Sequence, residues 1–190
     1  MKVGLFFGSF NPIHVGHLII ANTMVENTDL HEVWFVVSPQ NPFKKKNALL
    51  HEFDRFDMVE MAIADNYKLR VTDIEFNLPQ PSYTIDTLTY IQEKYPQYQF
   101  LLIMGSDNLV HLNKWKNYEQ ILQYYPILVY PRPNTQSSDL VQHPAVKFVP
   151  APLLDISATF IRDLVQKNKS IKYLVPEVVE AYILRKKFYI

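Results

Sequence analysis

The sequence predicts an α/β fold: a doubly wound, mainly parallel sheet with a small helical C-terminal part. Three observations carry this expectation. Apolar runs of strand length recur at residues 2–7, 32–38, 69–71, 99–104, 127–130 and 146–149. Stretches with helical spacing of apolar residues separate the early runs, as parallel pairing requires. The first run also enters a glycine-bearing turn and then a helix start, which is the layout of an anion site in an open α/β sheet.

The first strand, Lys2-Val3-Gly4-Leu5-Phe6-Phe7, leads into Gly8-Ser9-Phe10-Asn11-Pro12-Ile13-His14-Val15-Gly16-His17. His14 and His17 are three residues apart. On a first helical turn that spacing puts both rings on one face, roughly 5–6 Å apart at Cβ. Gly16 between them would let a ligand approach the backbone closely. Two imidazoles and a rim of backbone N–H groups make a cradle for phosphate. The loop has no Lys and no GxxxxGK[ST], so it is not a P-loop. A helix cap or half of a metal site are the alternatives, but no Cys or acidic partner is near, and strand, turn and both His fall in the order a phosphate site needs.

The second strand is followed by a loop whose tip is Lys44-Lys45-Lys46. Such runs are commonly solvated. Because this one follows the carboxyl end of a strand, one Lys is expected to reach the phosphates. Residues 51–66 read as an amphipathic helix, with Arg55 and Asp57 solvated. After the third strand, prolines mark a loop, and Ser82 or Thr84 can cap the helix running through Leu88 and Ile91. Capping alone would explain these two residues. Asp86 suits the first turn. Beyond the fourth strand, Asp107 is placed to bind a ribose hydroxyl pair or to cap a short helix. Trp115 stands among Lys114, Lys116 and Asn117, less easily explained as core than Trp34 in its strand.

The fifth strand ends in Pro131-Arg132-Pro133, and residues 134–143 read as a polar loop. After the sixth strand comes Asp155-Ile156-Ser157-Ala158-Thr159-Phe160-Ile161-Arg162. Ser157 is a natural N-cap without the Glu or Gln of a full capping box. A helix start bearing Ser, Thr and Arg would hold a further phosphate. The last helix is expected to begin at Pro176 and to end on Arg185-Lys186-Lys187. With neither repeat nor linker, residues 1–190 read as one domain.

Composition narrows the function classes. Lys plus Arg and Asp plus Glu balance at 19 each, which argues against a nucleic-acid or membrane-surface binder. The chain has no Cys, so disulfides, thiolate catalysis and Cys-based zinc sites are excluded. Without a signal-peptide pattern or an apolar stretch of membrane-spanning length, a cytoplasmic protein is the expectation. Oligomeric state is left open, a homo-oligomer included.

Gly-Ser-Phe-Asn-Pro-Ile-His-Val-Gly-His resembles the signature of the HxGH nucleotidyltransferase superfamily. The whole chain is most similar to its bacterial nicotinate mononucleotide adenylyltransferases. Ser82-Tyr83-Thr84-Ile85-Asp86-Thr87-Leu88, Gly105-Ser106-Asp107 with Trp115, and Ile156-Ser157-Ala158-Thr159-Phe160-Ile161-Arg162 match three further motifs. Phe43 departs from the family, which has a His before its Lys. The resemblance implies a Rossmann-like fold and adenylyl transfer from ATP to nicotinate mononucleotide, with Mg2+ bound through the ATP phosphates and no dedicated metal ligands. It implies catalytic roles for His14, His17, Lys44 and Arg162. Gly8, Ser9, Phe10, Gly105, Asp107, Arg132, Ser157 and Thr159 would bind ATP. Tyr83, Thr84, Ile85, Trp115 and Asn117 would bind the mononucleotide, with Trp115 stacked on the pyridine. The rivals are another transferase of the superfamily, such as the phosphopantetheine enzyme, and a non-catalytic nucleotide sensor. The first lacks the Tyr83–Thr84 and Trp115 motifs, and the second should have lost His14, His17 or Arg162.

Overall fold

The computed structural model describes residues 1–39 and 49–190. Six strands form one sheet: β1 (Lys2–Gly8), β2 (Glu32–Val37), β3 (Leu69–Thr72), β4 (Gln99–Gly105), β5 (Ile127–Tyr130) and β6 (Val146–Phe148). Their spatial order is β3-β2-β1-β4-β5-β6, and every neighbouring pair is parallel. The chain thus works outward from β1 to one edge, then returns to β4 and works outward to the other. That reversal opens a crevice at the carboxyl ends of β1 and β4.

Seven helices accompany the sheet among the described residues: α1 (Val15–Asn27), α2 (Glu52–Ile63), α3 (Thr84–Lys94), α4 (Ser106–Val110), α5 (Tyr118–Tyr124), α6 (Ala158–Gln166) and α7 (Glu177–Lys186). The side-chain period of two splits the core between the two sheet faces. Phe6, Val33, Phe35, Val37, Leu101 and Ile103 pack with α1, α2, α6 and α7. Val3, Leu5, Trp34, Val36, Phe100, Leu102 and Met104 pack with α3, α4 and α5. Strands covered on both faces read as nearly continuous apolar runs, which is why they were visible in the sequence. Full burial of a side chain such as Phe35 contributes about 1.5–3 kcal/mol.

Some local expectations change. Pro176 is the N-cap of α7, one residue before the helix begins. Neither Ser82 nor Thr84 caps α3: its N-cap is Tyr83, without a side-chain cap bond. Residues 134–143 contain a short 3-10 turn, Asp139–Gln142, capped by the Ser138 hydroxyl. Arg55 is not solvated but fully buried.

Candidate active site

The loop after β1 and the start of α1 form the floor of a cavity of about 710 Å3 at the β1/β4 crevice. His14 is the N-cap of α1, just outside the helix, and His17 is its third residue. Their rings stack, with centroids 3.6 Å apart and planes 26° from parallel. The His14 backbone N–H donates to His17 Nδ1 at 3.3 Å. In a neutral ring that bond assigns the proton of His17 to Nε2. Phe10 and Phe6 meet the His17 ring edge-on, at 5.1 and 6.1 Å between centroids. A Cβ at Gly16 would press on the His14 imidazole at 3.0 Å. The glycine makes room for that ring, and this explains its place between the two histidines better than ligand access does.

His14 is only 5% exposed, and its Nδ1 has no hydrogen-bond partner among the described residues. Burial, aided by the charge of Arg132, pushes this imidazole down to about 4. His14 is therefore neutral near pH 7, and its ring forms part of the cavity wall.

The opposite wall comes from the start of α6. Ser157 caps it as expected, its hydroxyl accepting the Phe160 N–H at 3.2 Å. Arg162 donates from Nη1 to the Asn11 carbonyl at 2.8 Å and from Nη2 to Thr159 Oγ1 at 3.2 Å. The β4 exit supplies a third wall. A Cβ at Gly105 would collide with Asp107 Oδ1 and crowd Arg132. Arg132 Nε lies 4.0 Å from Asp107 Oδ1, and the Arg132 backbone N–H donates to Ser106 Oγ at 2.9 Å.

Gly8, Ser9, Phe10, His14, His17, Asp107, Arg132, Ser157, Thr159 and Arg162 all line this one cavity. Gly105 stands directly behind Asp107. Lys44, with Lys45 and Lys46, lies outside the described residues. Tyr83, Thr84, Ile85, Trp115 and Asn117 do not line the cavity. Lys116, next to Trp115, reaches the start of α3, donating to Asp86 Oδ2 at 2.8 Å and sitting 4.8 Å from the centre of the Tyr83 ring. Trp115 is half-buried and packs against the cluster containing Ile85, and Phe7 belongs both to that packing and to the cavity wall. Asn117 takes a left-handed backbone, φ 50°, at the start of α5, a conformation Asn tolerates better than most residues.

Several participants were not foreseen. Arg55 donates to the carbonyls of Ser9 (2.6 Å), Ser38 (2.8 Å), Leu50 (2.9 Å) and Pro39 (3.1 Å). It thereby fastens the loop after β1 to the segments flanking residues 40–48. Its position was legible, since Arg55 shares the helix face of Met58 and Val59 at i+3 and i+4. Asn11 Oδ1 accepts from Tyr189 Oη at 2.9 Å and from the Leu50 N–H at 3.3 Å; nothing local signals a tie to the last residues of the chain. The hydroxyls of Ser82 and Thr87 turn inward to the buried carboxylate of Glu75.

A cytidylyltransferase-like family model matches residues 5–164. A Cytophaga hutchinsonii protein described as a probable nicotinate-nucleotide adenylyltransferase is 66% identical over 189 residues, covering 100% of this chain and 98% of its own. A Flavobacterium psychrophilum protein with the same description is 53% identical over 191 residues, covering 100% and 99%. The chain belongs to the nicotinate-nucleotide adenylyltransferase family. The nicotinic acid mononucleotide adenylyltransferase of Plasmodium falciparum complexed with NaAD has the same fold, with a TM-score of 0.82 over 99% of this chain and 97% of that one at 21% identity. Among the described residues no helix is long and apolar enough to cross a membrane, and no three His, Asp or Glu side chains are grouped to hold a metal.

Proposed function

We propose that this chain transfers the adenylyl group of ATP to the phosphate of nicotinate mononucleotide, forming nicotinate adenine dinucleotide for NAD biosynthesis and releasing pyrophosphate. The observation that carries this reading is the stacked His14–His17 pair sharing one cavity with Ser157, Thr159 and Arg162 at the β1/β4 crevice. An oxygen of the mononucleotide phosphate attacks the α-phosphorus. The bond from that phosphorus to the β-bridging oxygen breaks, and pyrophosphate leaves with the electron pair. The attacking phosphate has no proton to lose, so no side chain acts as nucleophile or as obligatory base. The protein contributes positioning and charge stabilisation.

In this reading His17 Nε2–H donates to the α-phosphate, and the neutral His14 donates to the adjoining phosphates. Lys44, Ser157, Thr159 and Arg162 hold the β- and γ-phosphates. Gly8, Ser9, Phe10, Gly105, Asp107 and Arg132 line the adenosine, with Asp107 on the ribose hydroxyls. Tyr83, Thr84, Ile85 and Asn117 surround the nicotinate, and Trp115 stacks on it. Mg2+, when bound, neutralises charge on the ATP phosphates. Asp107 is the one carboxylate lining the cavity among the described residues, and it faces Arg132. This donor set fits a metal carried by phosphate oxygens and water rather than by a protein cage.

The test is pyrophosphate release from ATP across a panel of phosphorylated acceptors. Nicotinate mononucleotide should be the best substrate. A preference for phosphopantetheine would move the chain to the neighbouring transferase, and no release with any acceptor would make it a nucleotide sensor.

A further inference from the structure

We infer that Glu75 is a positioning residue for the nicotinate end of the site. The inference rests on the reading of Tyr83, Thr84 and Ile85 as part of the acceptor subsite. Glu75 sits in the short 3-10 turn Ile74–Asn77 that follows β3, and it is only 2% exposed. Thr87 Oγ1 donates to its Oε1 at 2.7 Å, and Ser82 Oγ donates to its Oε2 at 3.2 Å. Tyr83, Thr84 and Ile85 lie between those two anchors. A single carboxylate therefore fixes both ends of the segment proposed to touch the pyridine.

Ordinary helix construction does not require this arrangement. Ser and Thr at a helix start usually cap it by accepting a backbone N–H. Here the Ser82 hydroxyl goes to Glu75 and α3 begins without a side-chain cap, while Thr87, one turn into the helix, lies closer to Glu75 Oε1 at 2.7 Å than to the Tyr83 carbonyl at 3.4 Å, the bond a helical Thr ordinarily makes. A buried carboxylate is also a costly anchor unless its oxygens are satisfied. Ser38, at the end of β2, supplies a further hydroxyl. The Ser38 carbonyl in turn accepts from Arg55, and the same Nη1 binds the Ser9 carbonyl of the phosphate loop. Glu75 thus refers the acceptor end of the site to the frame that holds the phosphate end. A reaction between two bound substrates depends on that relative placement, and an error near 1 Å can reduce the rate about a hundredfold.

The experiment compares KM for each substrate and kcat in full-length Glu75→Ala, Glu75→Gln and Trp115→Ala enzymes, with thermal melting of each. Glu75→Ala should raise the KM for nicotinate mononucleotide by about tenfold or more and leave that for ATP within about twofold. Glu75→Gln keeps an acceptor for Thr87 and should recover most of the loss. If Glu75→Ala does not fold, Thr87→Val and Ser82→Ala, each removing one anchor, should show the same mononucleotide-selective rise. Equal rises for both substrates, or unchanged constants in the folded variants, would overturn the role of Glu75. Trp115→Ala separates this outcome from failure of the subsite itself. A rise there without one in the Glu75 series sinks only the positioning role, and no rise in either sinks the acceptor assignment with it.

Discussion

Arg162 Nη1 donates to the backbone carbonyl of Asn11 at 2.8 Å, joining two segments 151 residues apart in sequence. The second signature is thereby held against the first. Asn11 also receives the Tyr189 hydroxyl and the Leu50 N–H on its side chain, so the loop after β1 is braced from three distant parts of the chain. Arg162 consequently has two tasks, orienting the loop and presenting its charge to the cavity.

Arg162→Lys should separate those tasks. A lysine has one nitrogen where arginine uses two, so it cannot meet the Asn11 carbonyl and Thr159 with the same fork. Turnover should fall at least about tenfold with little change in thermal melting. A loss of melting temperature that matches the loss of activity would make Arg162 a structural brace alone.

His17 lines the cavity and, in the proposed role, should stabilise the transferring phosphate more in the transition state than in the ground state. His17→Ala is expected to lower kcat by on the order of a hundredfold or more, with a smaller change in the KM for ATP. Near-normal turnover would remove the central assignment. His31, His51 and His143 accept backbone N–H groups elsewhere, and His111 lies in no signature, so alanine at these positions should spare the chemistry.

The pH dependence of stability tests His14. Its imidazole drops from an ordinary 6.5 to about 4 on folding, through burial first and the Arg132 charge second. Between those values the unfolded chain binds a proton that the folded chain does not. Stability is complete above about pH 6.5 and declines toward pH 4, by on the order of 3 kcal/mol at most for this group. In His14→Asn, chemical denaturation across that window should show a flatter curve. Parallel curves for parent and variant would contradict the burial of a neutral ring.

Arg55 predicts a stability loss of another kind. Its removal leaves four carbonyls at Ser9, Ser38, Pro39 and Leu50 without their donor. Arg55→Leu should destabilise the fold by about 2–5 kcal/mol, measured by urea unfolding. A loss under about half a kilocalorie, the usual size for a surface change, would restore the solvated reading.

Acid and amide forms of the acceptor should also be distinguished. Thr84 and the backbone N–H groups near Ile85 and Asn117 are donors, which satisfy a carboxylate but oppose the NH2 of a carboxamide. One unpaired group near 1.4 kcal/mol gives a tenfold preference for nicotinate over nicotinamide mononucleotide in kcat/KM. Trp115→Ala should weaken both forms together, because stacking does not distinguish them. Steady-state kinetics with both mononucleotides at saturating ATP measure this, and equal efficiencies would overturn the acid assignment.

The order of the six strands was legible in the sequence, because strands buried on both faces must be apolar throughout, whereas the short helix α5 between Asn117 and β5 was not. The sequence by itself determined the His14–Gly16–His17 spacing and the Ser157 cap, because both are set within one helical turn. It also marked the segments around Tyr83 and Trp115, though not what orders them. Only the tertiary structure decided the fates of Arg55, Glu75, Asn11 and Tyr189. A charged or polar side chain can be buried only where enough partners satisfy it, and here those partners arrive from segments remote in sequence. Arg55 shares the helix face of Met58 and Val59, but that spacing alone does not show that four carbonyls at the ends of other segments await its guanidinium. Ser82 looks like a capping residue until the turn after β3 brings Glu75 beside it, and its hydroxyl then goes to that buried carboxylate instead of to the helix.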